Sequence, residues 1–154
     1  MFEFSYSNST ENQTIKPGFF KGLILKSLKH FKLDKQKIIV DMAIVGGGEM
    51  KRLNKKYRGK NKPTDVLSFS FDENGLKLSQ KNPFLFLGNI VLCLPVIRKA
   101  AEKEKISVKE KLTRLTIHGL LHLLGYEHEK SQAERLKMEK LEKILWQKVN
   151  TLQD

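Results

Sequence analysis

Three of the four histidines in this 154-residue chain lie in the eleven residues from His118 to His128, and their spacing prescribes a local fold. His118-Gly-Leu-Leu-His122 sets two imidazoles four residues apart, which on an α-helix stacks them on one face within reach of a common ion. Gly125 follows three residues later and is the residue type that takes the left-handed conformation ending helices. The chain can then turn back, and His128 can supply a third nitrogen. The pattern H-x3-H-x2-G-x2-H therefore asks for a helix, a sharp turn and a return.

Three neutral nitrogen donors leave a fourth position open to water, the arrangement of a catalytic rather than a structural zinc site. Cys93 is the one cysteine, so neither a thiolate cluster nor an internal disulfide is available, and any metal must be held by histidines. The plainer alternative is three histidines satisfied in a core or on a surface. Their crowding at ligand spacing argues against it, whereas His30 is isolated and reads as an ordinary surface histidine.

The rest of the chain alternates strand and helix patterns. Met1 to Tyr6 reads as a strand and Ser7 to Thr14 as a loop. Pro17 to Phe31 reads as a helix with Phe20, Leu23, Ile24 and Leu28 at helical spacing. Lys37 to Val45 is β-branched and strand-like, ended by Gly46-Gly-Gly48, with a second helix expected over Glu49 to Tyr57. After the basic loop Arg58 to Pro63, Asp65 to Phe71 alternates as a strand, Asp72 to Gly75 is turn chemistry, and Phe84 to Leu94 is a further strand closing at Pro95. Pro95 opens a short helix to about Lys105. Ser107-Val-Lys-Glu110 and Ser131-Gln-Ala-Glu134 are capping-box patterns, the first opening the helix that runs to Gly125 and the second a final helix reaching Leu152. The expected architecture is one α/β (α+β) domain over residues 1–154: a mixed sheet packed with helices, carrying the histidine helix.

A chain of this length can bury roughly 70% of its unfolded surface without staples. Its net charge of +12 favours polyanionic partners, nucleic acid above all, although 24 Lys against 5 Arg is also what genome composition or a heat-adapted surface would give. No stretch approaches the ~20 apolar residues of a membrane span, and the start of the chain lacks a secretory signal pattern. A cytoplasmic location is expected. Asn8-Ser-Thr and Asn12-Gln-Thr match the glycosylation pattern, which has no consequence in that compartment.

The histidine spacing is that of the metzincin proteases, H-E-x-x-H-x-x-G-x-x-H, except that position 119 is Gly. The missing glutamate is the general base of peptide hydrolysis, so a metallopeptidase would need a glutamate from elsewhere, with Glu127 the nearest. Phosphodiester cleavage is less dependent on that group, since an RNA 2′-hydroxyl or a metal-activated water can attack while cations offset the charge.

Two blocks are similar to the YbeY family of bacterial endoribonucleases: Leu53-Asn-Lys-Lys-Tyr-Arg-Gly-Lys-Asn-Lys-Pro-Thr-Asp-Val-Leu-Ser-Phe69 and Ile117-His-Gly-Leu-Leu-His-Leu-Leu-Gly-Tyr-Glu-His128. A weaker third block is Leu87-Gly-Asn-Ile-Val-Leu-Cys93. The resemblance implies a cytoplasmic, metal-dependent, single-strand-directed endoribonuclease that matures the 3′ end of small-subunit (16S) ribosomal RNA and serves ribosome quality control. Ribosomal RNA and small-subunit components would be its partners, with no membrane and no small-molecule substrate. It also implies one Zn2+ per chain on His118, His122 and His128, with Arg58 and His118 acting in catalysis. Arg58 carries a donor fork suited to a phosphate, amid Lys55, Lys56, Lys60 and Lys62 that either track a backbone or form a solvated loop.

Asn89 and Cys93 depart from the family's usual Asp and Ser, and Glu127 replaces a usual Asp beside the third histidine. If the family's Asp positions a water or tunes the site, activity here would differ; if it is structural, Asn89 is a near-isosteric swap. Phe69, Phe71, Phe84 and Phe86 could stack on bases, but their strand pattern makes core the expectation. The reading from a different class is a zinc-binding ribosome-assembly factor that does not cut.

Overall fold

A computed structural model of the chain describes residues 2–71 and 84–151. The expected turn at Asp72–Gly75 and the outermost residues Met1 and Leu152 lie outside that range. The elements run β1 (Phe2–Asn8), α1 (Pro17–His30), β2 (Lys37–Val45), α2 (Gly47–Arg58), β3 (Val66–Ser70), β4 (Phe84–Cys93), α3 (Leu94–Glu104), α4 (Val108–Leu123) and α5 (Gln132–Thr151).

Among the described residues the strands form one sheet in the order β1-β2-β4-β3, with β1, β2 and β4 parallel and β3 antiparallel at the edge. The expected α/β class and mixed sheet are therefore what the chain adopts. Alternation on β2 sends Ile38, Val40, Met42 and Ile44 into one face, where they meet Phe20, Ile24 and Leu28 of α1 and Leu112, Leu115 and Leu120 of α4. Each such fully buried side chain contributes about 1.5–3 kcal/mol of transfer free energy. The opposite face is covered more thinly, by a cluster of Val45, Met50, Leu67, Val91 and Cys93 beneath α2. There Asp41 accepts a hydrogen bond from the Ser5 hydroxyl.

Several boundaries differ from the sequence expectation for identifiable reasons. β1 runs to Asn8 because parallel pairing with β2 continues to Ile44. The polar run after it is tied down by its own side chains: Asn8 Oδ1 accepts from the Thr10 amide at 3.0 Å and Asn12 Oδ1 from the Thr14 amide at 2.9 Å. The two Asn-x-Thr matches are thus turn-building contacts. α2 starts inside the glycine triplet, at Gly47, where Gly46 sits extended as the N-cap and its carbonyl accepts from Met50 at 3.1 Å. Burial of Met50 and Asn54 outweighs the low helix propensity of glycine. Arg58, expected in a loop, is the last residue of that helix, and Gly59 at φ 71° ends it.

β4 carries a bulge. Its register against β2 steps from Ile39↔Phe86 to Val40↔Gly88, leaving Leu87 as the extra residue. Gly88 has φ +138°, and a Cβ there would lie 2.0 Å from the Phe69 carbonyl oxygen, so only glycine lets β3 and β4 approach this closely. Beyond the bulge, Ile90 faces α4 and Asn89 alternates to the other face, beside Asp41 and Phe69 in register. Asn89 is therefore part of the sheet's far side, away from the histidine helix.

Candidate metal centre

α4 is built to present one polar edge over an apolar base. Ser107 caps it by accepting from the Glu110 amide at 3.0 Å. The second half of the expected capping box is absent, because Glu110 turns its carboxylate to Arg114 at 2.9 Å instead of back to the cap. Leu112, Leu115, Leu120 and Leu123 enter the core, while Ile117 and Leu121 pack toward Met138 and Leu145 of α5. The buried hydroxyls of Thr113 and Thr116 are satisfied by carbonyls one turn back, those of Lys109 and Leu112.

His118 and His122 leave the helix on its remaining face, with ring centroids 4.6 Å apart and Nε2 atoms 3.1 Å apart. The helix then stops as its glycine demands. Gly125, at φ 94°, donates to the His122 carbonyl at 3.0 Å and Tyr126 to that of Leu121 at 3.0 Å. The returning segment sets the His128 ring 5.3 Å from His118 and 5.2 Å from His122. One nitrogen from each histidine lies within 4.8 Å of the other two.

The donor set fits a small divalent ion. Two nitrogens about 2.0–2.1 Å from a tetrahedral ion sit about 3.3 Å apart, close to the 3.1 Å between the two Nε2 atoms. Nδ1 of His128 is buried with no hydrogen-bond partner, a condition normally avoided unless an ion or water completes it. Burial lowers the pKa of His122, chiefly by desolvation and then through His118 and His128, against a smaller opposing pull from Glu127. The neutral, ligating form is favoured at neutral pH.

Behind this cluster stands a residue that sequence reasoning missed. Nδ1 of His118 lies 2.7 Å from Oε1 of Glu142 on α5. A carboxylate only accepts, so Nδ1 carries the proton and the lone pair of Nε2 points toward the other histidines. One turn away, the guanidinium of Arg114 lies 4.5 Å from the centroid of the Trp146 ring. Both partners come from a register between two helices that no local pattern encodes. The usable signal was that ligating histidines need a carboxylate behind them and that Glu142 and Trp146 share one face of the next helix.

Arg58, at the end of α2, is tied to the edge strand β3. Its Nη2 donates to the Ser68 carbonyl at 3.3 Å, and Ser68 Oγ lies 3.0 Å from where a Cβ of Gly119 would be. Gly119 is thus the contact point between α4 and β3, with Ile90 Cγ2 at 3.1 Å on its other side. A glutamate at this position would have to displace both. Lys55, Lys56, Lys60 and Lys62 are exposed around Arg58.

Of the aromatics expected in the core, Phe69 and Phe86 are half-buried, but Phe71 is 72% exposed, because β3 ends at Ser70 and leaves it beyond the sheet. The side chain of Phe84 lies outside the description. His30 is half-buried against Phe31 rather than free on the surface. Cys93 is fully buried, and desolvation raises its thiol pKa.

A family model for Endoribonuclease YbeY matches residues 5–150 of the chain. The chain belongs to the YbeY endoribonuclease family. Its relatives in that family include the Endoribonuclease YbeY of Persephonella marina, 36% identical over 140 residues covering 91% of this chain and 88% of the relative. That of Mycoplasmopsis synoviae is 43% identical over 111 residues, 72% of this chain and 69% of the relative. The solution structure of a Thermotoga maritima protein shares the fold, with a TM-score of 0.61 and 24% identity over 96% of this chain and 92% of that one. The YbeY assignment makes the chain a nuclease by kinship and RNA its substrate class. Among the described residues no helix is long and apolar enough to cross a membrane.

Proposed function

We propose that the chain, acting as one domain over residues 1–154, is a cytoplasmic, metal-dependent endoribonuclease. It cuts single-stranded RNA, matures the 3′ end of small-subunit (16S) ribosomal RNA and serves ribosome quality control with small-subunit components as partners. The observation that carries this reading is the convergence of His118, His122 and His128 to within 4.8 Å in a chain of the YbeY family. These histidines would hold one zinc ion. When bound, the ion supplies Lewis-acid polarisation of a phosphoryl oxygen and activation of water near neutral pH.

The chain's own residues supply the rest. Glu142 fixes the tautomer and ring plane of His118. Arg58, anchored to β3 by one donor, offers the remaining fork to a phosphate, and a guanidinium held in place offsets charge as it builds on a phosphorane-like oxygen. The exposed lysines of the adjoining loop and the net charge of +12 draw in and track an anionic backbone. Gly119 allows β3 to sit against the ligand helix, and its lack of a carboxylate withholds the base that a peptidase requires.

The test is metal content together with cleavage of a labelled single-stranded RNA by the purified chain and by His122→Ala and Arg58→Ala variants. About one zinc per chain, lost in His122→Ala, is expected. Cutting should be lost in both variants, with zinc retained in Arg58→Ala. Stoichiometric zinc with no cutting would leave the assembly-factor reading, and purification without metal under native conditions would remove the site.

A further inference from the structure

α4 and α5 are joined beside the histidine cluster by two rungs. His118 to Glu142 is one, at 2.7 Å, and Arg114 to Trp146 is the other, at 4.5 Å from guanidinium carbon to ring centroid. Because 114 and 118 are four apart on α4, as are 142 and 146 on α5, the rungs stand about 6 Å apart along the helices. Arg114 does not swing freely. Glu110 receives both its Nε, at 3.2 Å, and its Nη2, at 2.9 Å, on one oxygen, and the indole of Trp146 backs it. Its side chain is nevertheless 53% exposed.

This pinned planar cation opens onto a cleft of about 440 Å³ that His118, Glu139, Glu142 and Lys143 also line, together with Asp65 and Val66 of the β3 side. A second cleft of about 400 Å³ continues past His118 toward His128 and Arg135. A strand passing the histidines would therefore lie in a continuous trough with Arg114 at one end. Unpaired bases in RNA are bound by stacking on aromatic rings and on arginine planes. A lone surface arginine would be too mobile to serve; here the guanidinium lies over the indole and is hydrogen-bonded to Glu110, so little ordering remains to be done on binding.

We propose that Arg114, backed by Trp146 and held by Glu110, is a stacking platform for one unpaired nucleobase of a single-stranded RNA, the base next to the phosphate placed at the histidine cluster. This deepens the endoribonuclease reading and rests on it. Recognition is of the flat face of a base, so purines are held more strongly than pyrimidines through their larger stacking area, and an abasic residue not at all.

Trp146 is the only tryptophan in the chain, so all tryptophan emission arises beside Arg114. The experiment titrates the zinc-loaded full-length chain with a 5′-fluorescein-labelled, 2′-O-methylated heptamer of adenylates, which cannot be cut by its own 2′-hydroxyls. It is compared with heptamers carrying one abasic residue at each position in turn. Anisotropy reads total binding and tryptophan emission reads the platform. The expected result is a change in Trp146 emission that saturates with binding and vanishes for one abasic position. Arg114→Ala should weaken binding on the order of tenfold or more. Arg114→Lys, which keeps the charge but not the plane, should weaken it nearly as much, with zinc content unchanged and both variants still folding cooperatively, their melting lowered only by the lost contacts to Glu110 and Trp146. Binding with unaltered Trp146 emission, or full rescue by Arg114→Lys, would overturn the platform while leaving the endoribonuclease reading intact. Failure of the unmodified RNA to bind or be cut would overturn that reading first and the platform with it.

Discussion

Glu142 holds His118 from behind: the 2.7 Å contact between Oε1 and Nδ1 joins the last long helix to the middle of the ligand helix. A ligand ring so oriented needs no reordering when an ion arrives. Glu142→Ala should lower zinc affinity on the order of 10–100-fold, with Glu142→Gln intermediate because its carbonyl can still accept. Competition with a chromophoric chelator reads this directly. Equal affinity in all three proteins would mean that the contact does not orient the ligand.

Much of this centre could be read in the sequence and some of it could not, and the division follows the range of the interactions. The helix carrying His118 and His122, its arrest at Gly125 and the return of His128 are local consequences of residue type, and the structure places them as expected. Ser107 caps its helix for the same reason, although Glu110 found a better partner in Arg114 four residues on than in the cap. Glu142 and Trp146 went unseen because the register between α4 and α5 is set by packing of Ile117 and Leu121 on Met138 and Leu145. The start of α2 inside three glycines was likewise decided by burial of Met50, not by propensity. The bulge at Leu87 and Gly88 is also a pairing effect, and only the glycine marks it.

Gly119 can be tested by restoring the protease glutamate. The position is buried, and its Cβ would already press on Ser68 Oγ at 3.0 Å and Ile90 Cγ2 at 3.1 Å. A longer, charged side chain must overpack that contact or break α4 from β3. Gly119→Glu should cost about 3 kcal/mol or more in urea unfolding and should confer no peptidase activity. A variant as stable as the parent would show that β3 can give way at little cost.

Gly88 governs the same strand from the other edge. At φ +138° with the Phe69 carbonyl oxygen 2.0 Å from any Cβ, even alanine demands that β3 move. Arg58 is tied to β3 through Ser68, so the strand's displacement carries with it the side chain proposed to bind phosphate. Gly88→Ala should lose about 3 kcal/mol or more of stability. The surviving folded fraction should keep zinc yet cut RNA more slowly per folded molecule. Unchanged melting would refute the close approach.

His122 contributes to the loss of stability of the metal-free protein in acid, as does His30, whose pKa burial also lowers. The pKa of His122 is lowered in the fold, first by desolvation and then by His118 and His128, while an unfolded histidine titrates near about 6.5. Below that pH the unfolded chain takes up a proton that folded His122 resists, so the unfolded state gains and stability falls as pH drops from about 6.5 through the lowered folded value. Above about 6.5 both states are neutral at this residue and it contributes no slope. Urea midpoints of chelator-treated protein between pH 5.5 and 8 should therefore be flat at the upper end and decline at the lower. Part of the decline should disappear in His122→Ala. Adding zinc at 100 times its dissociation constant should raise the wild-type curve by about 2.7 kcal/mol near neutral pH, and progressively less in acid as protons compete for the ligand nitrogens. Zinc should leave the His122→Ala curve almost unmoved. A zinc effect of equal size in that variant would place the ion elsewhere.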